Sequence, residues 1–301
     1  MRTELTRMLG GALARTVSDA GAFGMLGFDE GETAESLAEQ LAKLRGGNAP
    51  VRFGIGLVRW ALDLAIAAKP AFVSISLGDP TPYVERFHDA GILVGAQVQS
   101  RAWARTALAA GVDILTAQGT EAGGHTGSVG TLPLLQIVLE MAGDVPVIAA
   151  GGMATGRGLA AGASGAWIGT PFLVAREARS NDVARERIMP SDETQTVLTR
   201  AFHRVSQKTW PTEFTGRAVR NAFTDRYHGR EGEITMWRIS TRDRRSGSWM
   251  RWNLRRSSSR GSSPKRRRAC QPRRASRVVP TNWPLTNLRR GFSLRLQIVA
   301  A

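Results

Sequence analysis

Between residues 11 and 169 the sequence alternates short apolar runs with Ala-rich stretches of helical period, which restricts the chain to folds built on a parallel sheet. The runs are Arg52–Leu57 (RFGIGL), Ala71–Leu77 (AFVSISL), Ile92–Val98 (ILVGAQV), Asp113–Gln118 (DILTAQ), Val145–Ala150 (VPVIAA) and Ala166–Gly169 (AWIG), preceded by a weaker one at Ala22–Leu26 (AFGML). Helix-period segments fill the intervals at Gly11–Ala20, Thr33–Lys43, Pro82–Ala90, Arg101–Ala110, Leu132–Met141 and Gly156–Ala161. Gly21, Gly91 and Gly111 stand where three of these helices should end, as C-cap residues. Runs that are apolar throughout, rather than alternating, are buried on both faces, as in a parallel sheet covered by helices. A doubly wound open sheet also satisfies the pattern. Gly and polar residues at the C-terminal end of nearly every run favour the (β/α)8 barrel, which builds its site at that end. Seven strands can be read, one short of a closed barrel.

The net charge of +16 suggests a polyanionic partner until it is divided by position. From Arg238 to Ala301 there are 18 Lys and Arg against one acid, Asp243, and the remainder holds 23 bases against 24 acids. The body, residues 1–237, is therefore near neutral, and the basic excess says nothing about what it binds. Residues 238–301 (RDRRSGSW, RRSSSRGSSPKRRR, QPRRASR) are Arg/Ser-rich and of low complexity, and read as a disordered basic tail or the product of a shifted reading frame. Nucleic-acid binding through this stretch is not expected. The single cysteine, Cys270, excludes an internal disulfide and a Cys-rich metal site. No run approaches the ~20 apolar residues of a membrane span, and no signal-peptide layout opens the chain, so a cytoplasmic protein without metal or membrane partner is expected.

Three strand-end segments carry candidate chemistry. Thr116–Gly127 (TAQGTEAGGHTG) follows a buried strand and is too polar and Gly-rich for a core loop. Its glycines allow close backbone approach to a flat ligand, and His125 is placed to move a proton near neutral pH. Val147–Gly158 (VIAAGGMATGRG) ends a strand in Gly-Gly before a helix begins, a place where backbone N–H groups can hold an anion. Ala166–Phe172 (AWIGTPF) again runs a strand into Gly-Thr. Two successive glycine turns late in a barrel match the position of its phosphate site. Together these imply a barrel, a phosphate-bearing cofactor and one nearby histidine. No GxGxxG follows a strand, so a Rossmann site is not expected.

These three segments, AQGTEAGGHTG, AAGGMATGRG and WIGTPFL, resemble the nitronate monooxygenase (2-nitropropane dioxygenase-like) family of FMN enzymes on a TIM barrel, relatives of the FMN-type enoyl-ACP reductases. The resemblance covers about Arg2 to Trp237. It implies flavin contacts at Gln118, Gly123 and Gly124, at Gly151 and Gly152, and at Trp167, Ile168, Gly169 and Thr170. It also implies that His125 acts as base toward the substrate α-proton or orients the nitro group. The reaction implied is oxidative denitrification of an alkyl nitronate with O2 to a carbonyl compound and nitrite. The alternatives are an FMN-dependent enoyl-thioester reductase and an inactive, truncated or frame-shifted member that binds no flavin.

The sequence departs from the family pattern in places. The opening strand of the type PIVxAPM is missing, since Met1–Gly10 runs directly into the first helix, and a barrel lacking one strand should have an open seam. The helix at Gly156–Ala161 is about one turn short, and Gly56 stands where the family carries a strand-end Asn. Other residues take ordinary roles. Arg176–Arg204 reads as helical; His88, His203 and His228 read as surface or structural; Trp60 and Trp103 read as packing or rim residues; and Glu121 reads as a brace for its loop.

Overall fold

In the computed structural model, residues 10–28, 33–47, 50–57, 62–154, 156–206, 210–234 and 296–299 are described. All of them belong to one compact unit formed by residues 2–238 and 294–301. Trp60, Cys270 and most of the Arg/Ser-rich stretch lie outside the described residues.

The expected parallel sheet is present. Its strands are β1 (Phe23–Phe28), β2 (Phe53–Leu57), β3 (Phe72–Ser76), β4 (Leu93–Val98) and β5 (Ile114–Gln118), followed after a short strand β6 (Gly124–Thr126) by β7 (Val147–Ala150) and β8 (Gly165–Trp167). Each pairs in parallel with the next in the order β1-β2-β3-β4-β5-β7-β8. Helix starts are fixed by side-chain caps: Thr33 accepts from the Ser36 amide, and Ser100 from the Trp103 amide, each at 3.2 Å. The helices before β1, β4 and β5 end as expected, with Gly21, Gly91 and Gly111 at φ of 84°, 71° and 79°. A Cβ at any of the three would meet nothing within 4 Å, so backbone conformation alone selects glycine there.

The seam expected beside β1 is filled. A strand from the far end of the sequence, Leu296–Val299, pairs in parallel with β1 (Phe23 opposite Ile298) and with β8 (Ile298 opposite Trp167), giving an eight-stranded closed barrel. The two sheet edges otherwise present unpaired backbone groups, and Leu-Gln-Ile-Val supplies a segment of high strand propensity to satisfy them. Averaging composition over the whole Arg/Ser-rich stretch conceals this short run.

Alternation along each strand divides the core in two. Leu26, Ile55, Val73, Ile75, Val94, Ala96, Leu115, Ala117 and Ala149 face outward and pack with helix residues such as Leu41, Leu44, Phe87, Leu134 and Val138. Met25, Phe72, Ile114, Ile148, Ala150 and Trp167 face the lumen in a second cluster, which also includes Leu13 and Val17 of the helix Gly11–Asp19. Phe23 and Phe72 meet edge-to-face at 6.3 Å. By the same alternation Ser74, Ser76, Gln97, Thr116 and Gln118 turn to the lumen.

Past β8 the structure departs from the helical expectation. Within the stretch 176–204 the α-helix is confined to Asp182–Ile188 and to the start of a short helix, Ala201–Ser206; between them lie a 3-10 turn at Glu193–Gln195 and strand β9 (Thr196–Thr199). Strand β10 (Thr215–Val219) then lies between β9 and β6 in an antiparallel three-stranded sheet. Three of the four residues of Thr-Val-Leu-Thr at β9 are β-branched, and the run pairs with β10, which overrides its weak helical pattern.

Candidate active site

Register brings the three strand-end segments together. Gln118 of β5 is opposite Ala150 of β7, and Ala150 is opposite Trp167 of β8. The turns beginning at Gly119, Gly151 and Ile168 therefore leave the barrel side by side. Gly151 (φ 112°) and Gly152 (φ 66°) are both left-handed. A Cβ on Gly151 would stand 2.6 Å from Thr131 Oγ1 and 2.7 Å from the Ala122 amide nitrogen, so the β7 turn packs directly on the Gly119–Gly124 loop. Gly169 and Thr170 lead into the 3-10 helix Thr170–Val174. Trp167 itself is buried in the lumen cluster, so its ring is a wall of the barrel, while Ile168, Gly169 and Thr170 lie further out. The short element before β8 is a six-residue 3-10 helix, Gly156–Ala161.

The loop after β5 is braced from within. Glu121 accepts from the Thr131 amide and hydroxyl, both at 2.9 Å, capping the helix Thr131–Ala142. Burial acts to raise the Glu121 carboxyl, but these bonds outweigh it and hold the group below its ordinary value. Arg217 of β10 donates twice to the Thr120 carbonyl and, at 2.7 Å, to Thr196 Oγ1, tying the small sheet to the same loop. Glu121 is thus a brace, as expected, and Arg217 is one the sequence did not disclose.

Above the apolar floor the lumen becomes polar. Gln99 Nε2 donates to Gln118 Oε1 at 2.8 Å, and both side chains are buried. Ser74 Oγ and Thr116 Oγ1 are fully buried and have no partner among the described residues. Such hydroxyls are costly unless something satisfies them. At Gly56, where the family pattern has Asn, the nearest atom a Cβ would meet is the Leu26 carbonyl at 3.8 Å, so the wall is open there.

His125 stands on β6, opposite Gly216 of β10. Its Nε2 is 2.9 Å from Nε2 of His203, on the helix Ala201–Ser206. Trp210 stacks on the His125 ring, with centroids 3.8 Å apart and planes inclined by 21°. Gly216 keeps the space open: a Cβ there would be 3.5 Å from His203 Nε2 and 3.9 Å from His125 Nε2. Burial, reinforced by the neighbouring His203, pushes the His125 pKa down to about 4, and burial with Arg200 lowers that of His203. The pair is neutral at pH 7. On the other side, Gly127 closes onto Gln99: a Cβ at Gly127 would be 2.8 Å from Gln99 Cβ. The histidine strand and the Gln99–Gln118 pair therefore share one end of the barrel.

The sequence alone does not mark Ser74, Gln99, His203, Trp210 or Gly216 as residues of the site. Gln99 had a signal, as a polar residue ending the apolar run ILVGAQVQ. His203 reads in the sequence as a surface or structural residue; its pairing spans 78 residues and depends on the small sheet, which leaves no local signature. His88 is bonded to Asp113 at 2.8 Å, and Trp103 Nε1 donates to Glu213 at 3.1 Å, in keeping with their structural reading. Among the described residues no group of three or more His, Cys, Asp or Glu could hold a metal, and no helix is long and apolar enough to cross a membrane.

Known proteins resemble the chain in sequence and in fold. A Mycobacterium tuberculosis protein named as a monooxygenase is 39% identical over 171 residues, covering 55% of this chain and 43% of that one. The chain spans about half the length of the curated relatives it matches. Among solved structures, FabK from Thermotoga maritima superposes with a TM-score of 0.66 at 30% identity, covering 75% of this chain and 72% of the other. A nitroalkane oxidase from Streptomyces ansochromogenes gives 0.63 at 26% identity, covering 76% and 77%. The family model for nitronate monooxygenase matches residues 49–228, from β2 through the small sheet and the His125–His203 pair, and the chain belongs to that family.

Proposed function

We propose that the chain is an FMN-dependent oxidoreductase that converts an alkyl nitronate, with O2, to a carbonyl compound and nitrite. The observation that carries this reading is a neutral, stacked histidine held at the polar end of the barrel, beside a buried Gln99–Gln118 pair. The residues present fit a flat cofactor with polar edges. Ser74 and Thr116 offer buried hydroxyls that lack partners, and the lumen below them is apolar. Gln118, its oxygen engaged by Gln99, offers its amino group as a donor. Gly123 and Gly124 allow close backbone approach, and the adjacent turns at Gly151-Gly152 and Ile168-Gly169-Thr170 would hold the phosphate. FMN, when bound, supplies the redox chemistry, taking electrons from the nitronate and passing them to O2.

The chain's own contribution is to position the substrate and exclude water. A nitronate is an anion, and His125, neutral across the physiological range, meets it as a hydrogen-bonding group and not as a counter-ion. A histidine whose pKa is pushed down to about 4 is a poor base toward a neutral nitroalkane. The reading therefore favours the preformed nitronate as substrate. The activity is assigned to the residues of the barrel and small sheet within 1–237; Leu296–Val299 closes the barrel, and the Arg/Ser-rich stretch before it has no catalytic part.

Nitrite release from an alkyl nitronate in air, by the full chain supplied with FMN, tests the proposal. His125→Ala should lower the rate by about 100-fold or more, and equal rates in both proteins would refute the assignment. Likeness to FabK keeps one other reading open, an FMN-dependent enoyl-thioester reductase. Rapid anaerobic bleaching of the flavin by NADPH, without nitrite release from nitronate, would establish that reading instead.

A further inference from the structure

His203 has no part in the chemistry above, yet it is the hydrogen-bond partner of the residue that does. We propose that His203 is a positioning residue: it donates its Nε2–H to His125 Nε2, locks His125 in the Nδ1–H form, and so makes it a hydrogen-bond donor to an anionic substrate group. The inference rests on the reading of His125 as the substrate-facing group and specifies how it acts.

The argument is one of proton accounting. Two imidazole nitrogens 2.9 Å apart share one proton, so one Nε2 carries hydrogen and the other presents its lone pair. If His125 were the donor, His203 would carry its hydrogen on Nδ1. That nitrogen is buried and has no partner among the described residues, so the arrangement strands a buried N–H. If His203 is the donor, its Nδ1 holds only an unused lone pair. Orphaned buried N–H groups are rarer than under-used acceptors, so the second arrangement wins.

Its consequence falls on His125. With Nε2 accepting from His203, the ring's remaining nitrogen carries the hydrogen and can only donate. Trp210, stacked on one face, holds the ring plane, and Gly216, opposite on β10, leaves room for the pair. An Nδ1–H donor suits the charged oxygens of a nitronate and cannot remove a proton from carbon. Burial is the main influence that keeps both rings neutral; Arg200, next to the helix of His203, adds to it at His203, and protonation of His203 would disfavour a proton on His125.

Two-bond proton–nitrogen correlation spectra of the full chain, labelled with 15N-histidine and recorded at pH 7.5, read the tautomer directly. His125→Ala assigns the signal. The expected wild-type result is a single His125 form with the proton on Nδ1. His203→Ala should release it to a mixture and move its titration up toward the ordinary value near 6.5. His203→Gln, whose side-chain amide can still donate, should retain the Nδ1–H form. In nitrite assays His203→Ala should raise KM for nitronate about 10-fold, with a smaller change in kcat, and His203→Gln should recover most of that loss. A wild-type His125 protonated on Nε2, or an unchanged His125 signal in His203→Ala, would overturn the proposal. If His203→Ala does not fold, the wild-type tautomer and the Gln variant decide. Because the spectra need neither flavin nor turnover, their failure is distinct from failure of the nitronate reading.

Discussion

The floor of the barrel and the small sheet at its upper end are built on opposite rules. At the floor, Phe23, Met25, Phe72, Ile114 and Ile148 come from β1, β3, β5 and β7 of the one parallel sheet, and their packing is apolar. At the upper end, β6, β9 and β10 come from distant segments; Arg217 ties them to the Thr120 carbonyl of the barrel loop, and His125 to His203 links them to one another. The first region accounts for stability through burial; the second arranges polar groups whose hydrogen bonds add little net stability but fix geometry. A fold that separates the two can change its chemistry without rebuilding its core.

The largest effect that would sharpen this contrast is at the floor. Phe72→Ala should cost about 4 kcal/mol by denaturant unfolding, from lost burial and the cavity left behind. A loss below about 1 kcal/mol would mean that the lumen cluster is loosely packed and the contrast is wrong.

Next comes the junction between the regions. Gly151→Ala should cost about 3 kcal/mol, because it combines a strained φ of 112° with a clash against Thr131 and Ala122. Gly21→Ala, at φ 84° with open space around it, should cost only about 1 kcal/mol in the same measurement. Equal losses would show that the close approach of the β7 turn to the β5 loop is unimportant.

The smallest effect belongs to the upper sheet. Above pH 6.5, the ordinary histidine value, His125 is neutral both folded and unfolded. Between 6.5 and about 4 the unfolded chain binds a proton there that the native chain does not, so stability falls as pH falls. His203 acts in the same direction. Unfolding midpoints at pH 7 and pH 4.5 should therefore differ less in His125→Gln than in wild type. An identical difference would contradict burial of a neutral pair.

The same contrast sets what the sequence could disclose. The parallel strands were legible because each is a continuous apolar run next to its own helix, and Gly21, Gly91 and Gly111 marked helix ends by a local backbone demand. Gln118, His125 and the glycine turns were legible because they follow such runs directly. His203, Trp210 and Gly216 were not, since their roles exist only once β10 lies between β6 and β9. Leu296–Val299 is not legible as a barrel strand because its place is set by two edges, β1 and β8, remote from it in the sequence. Trp167 shows the limit of motif reading, since its ring belongs to the buried lumen cluster while the residues after it form the turn.

The most direct measurement is the visible absorption spectrum of the full chain, incubated with FMN, freed of excess cofactor and recorded anaerobically before and after addition of an alkyl nitronate. The account predicts retained flavin bands that bleach on nitronate addition and return with air as nitrite appears. A protein that stays colourless, or whose flavin bands ignore nitronate, would contradict it.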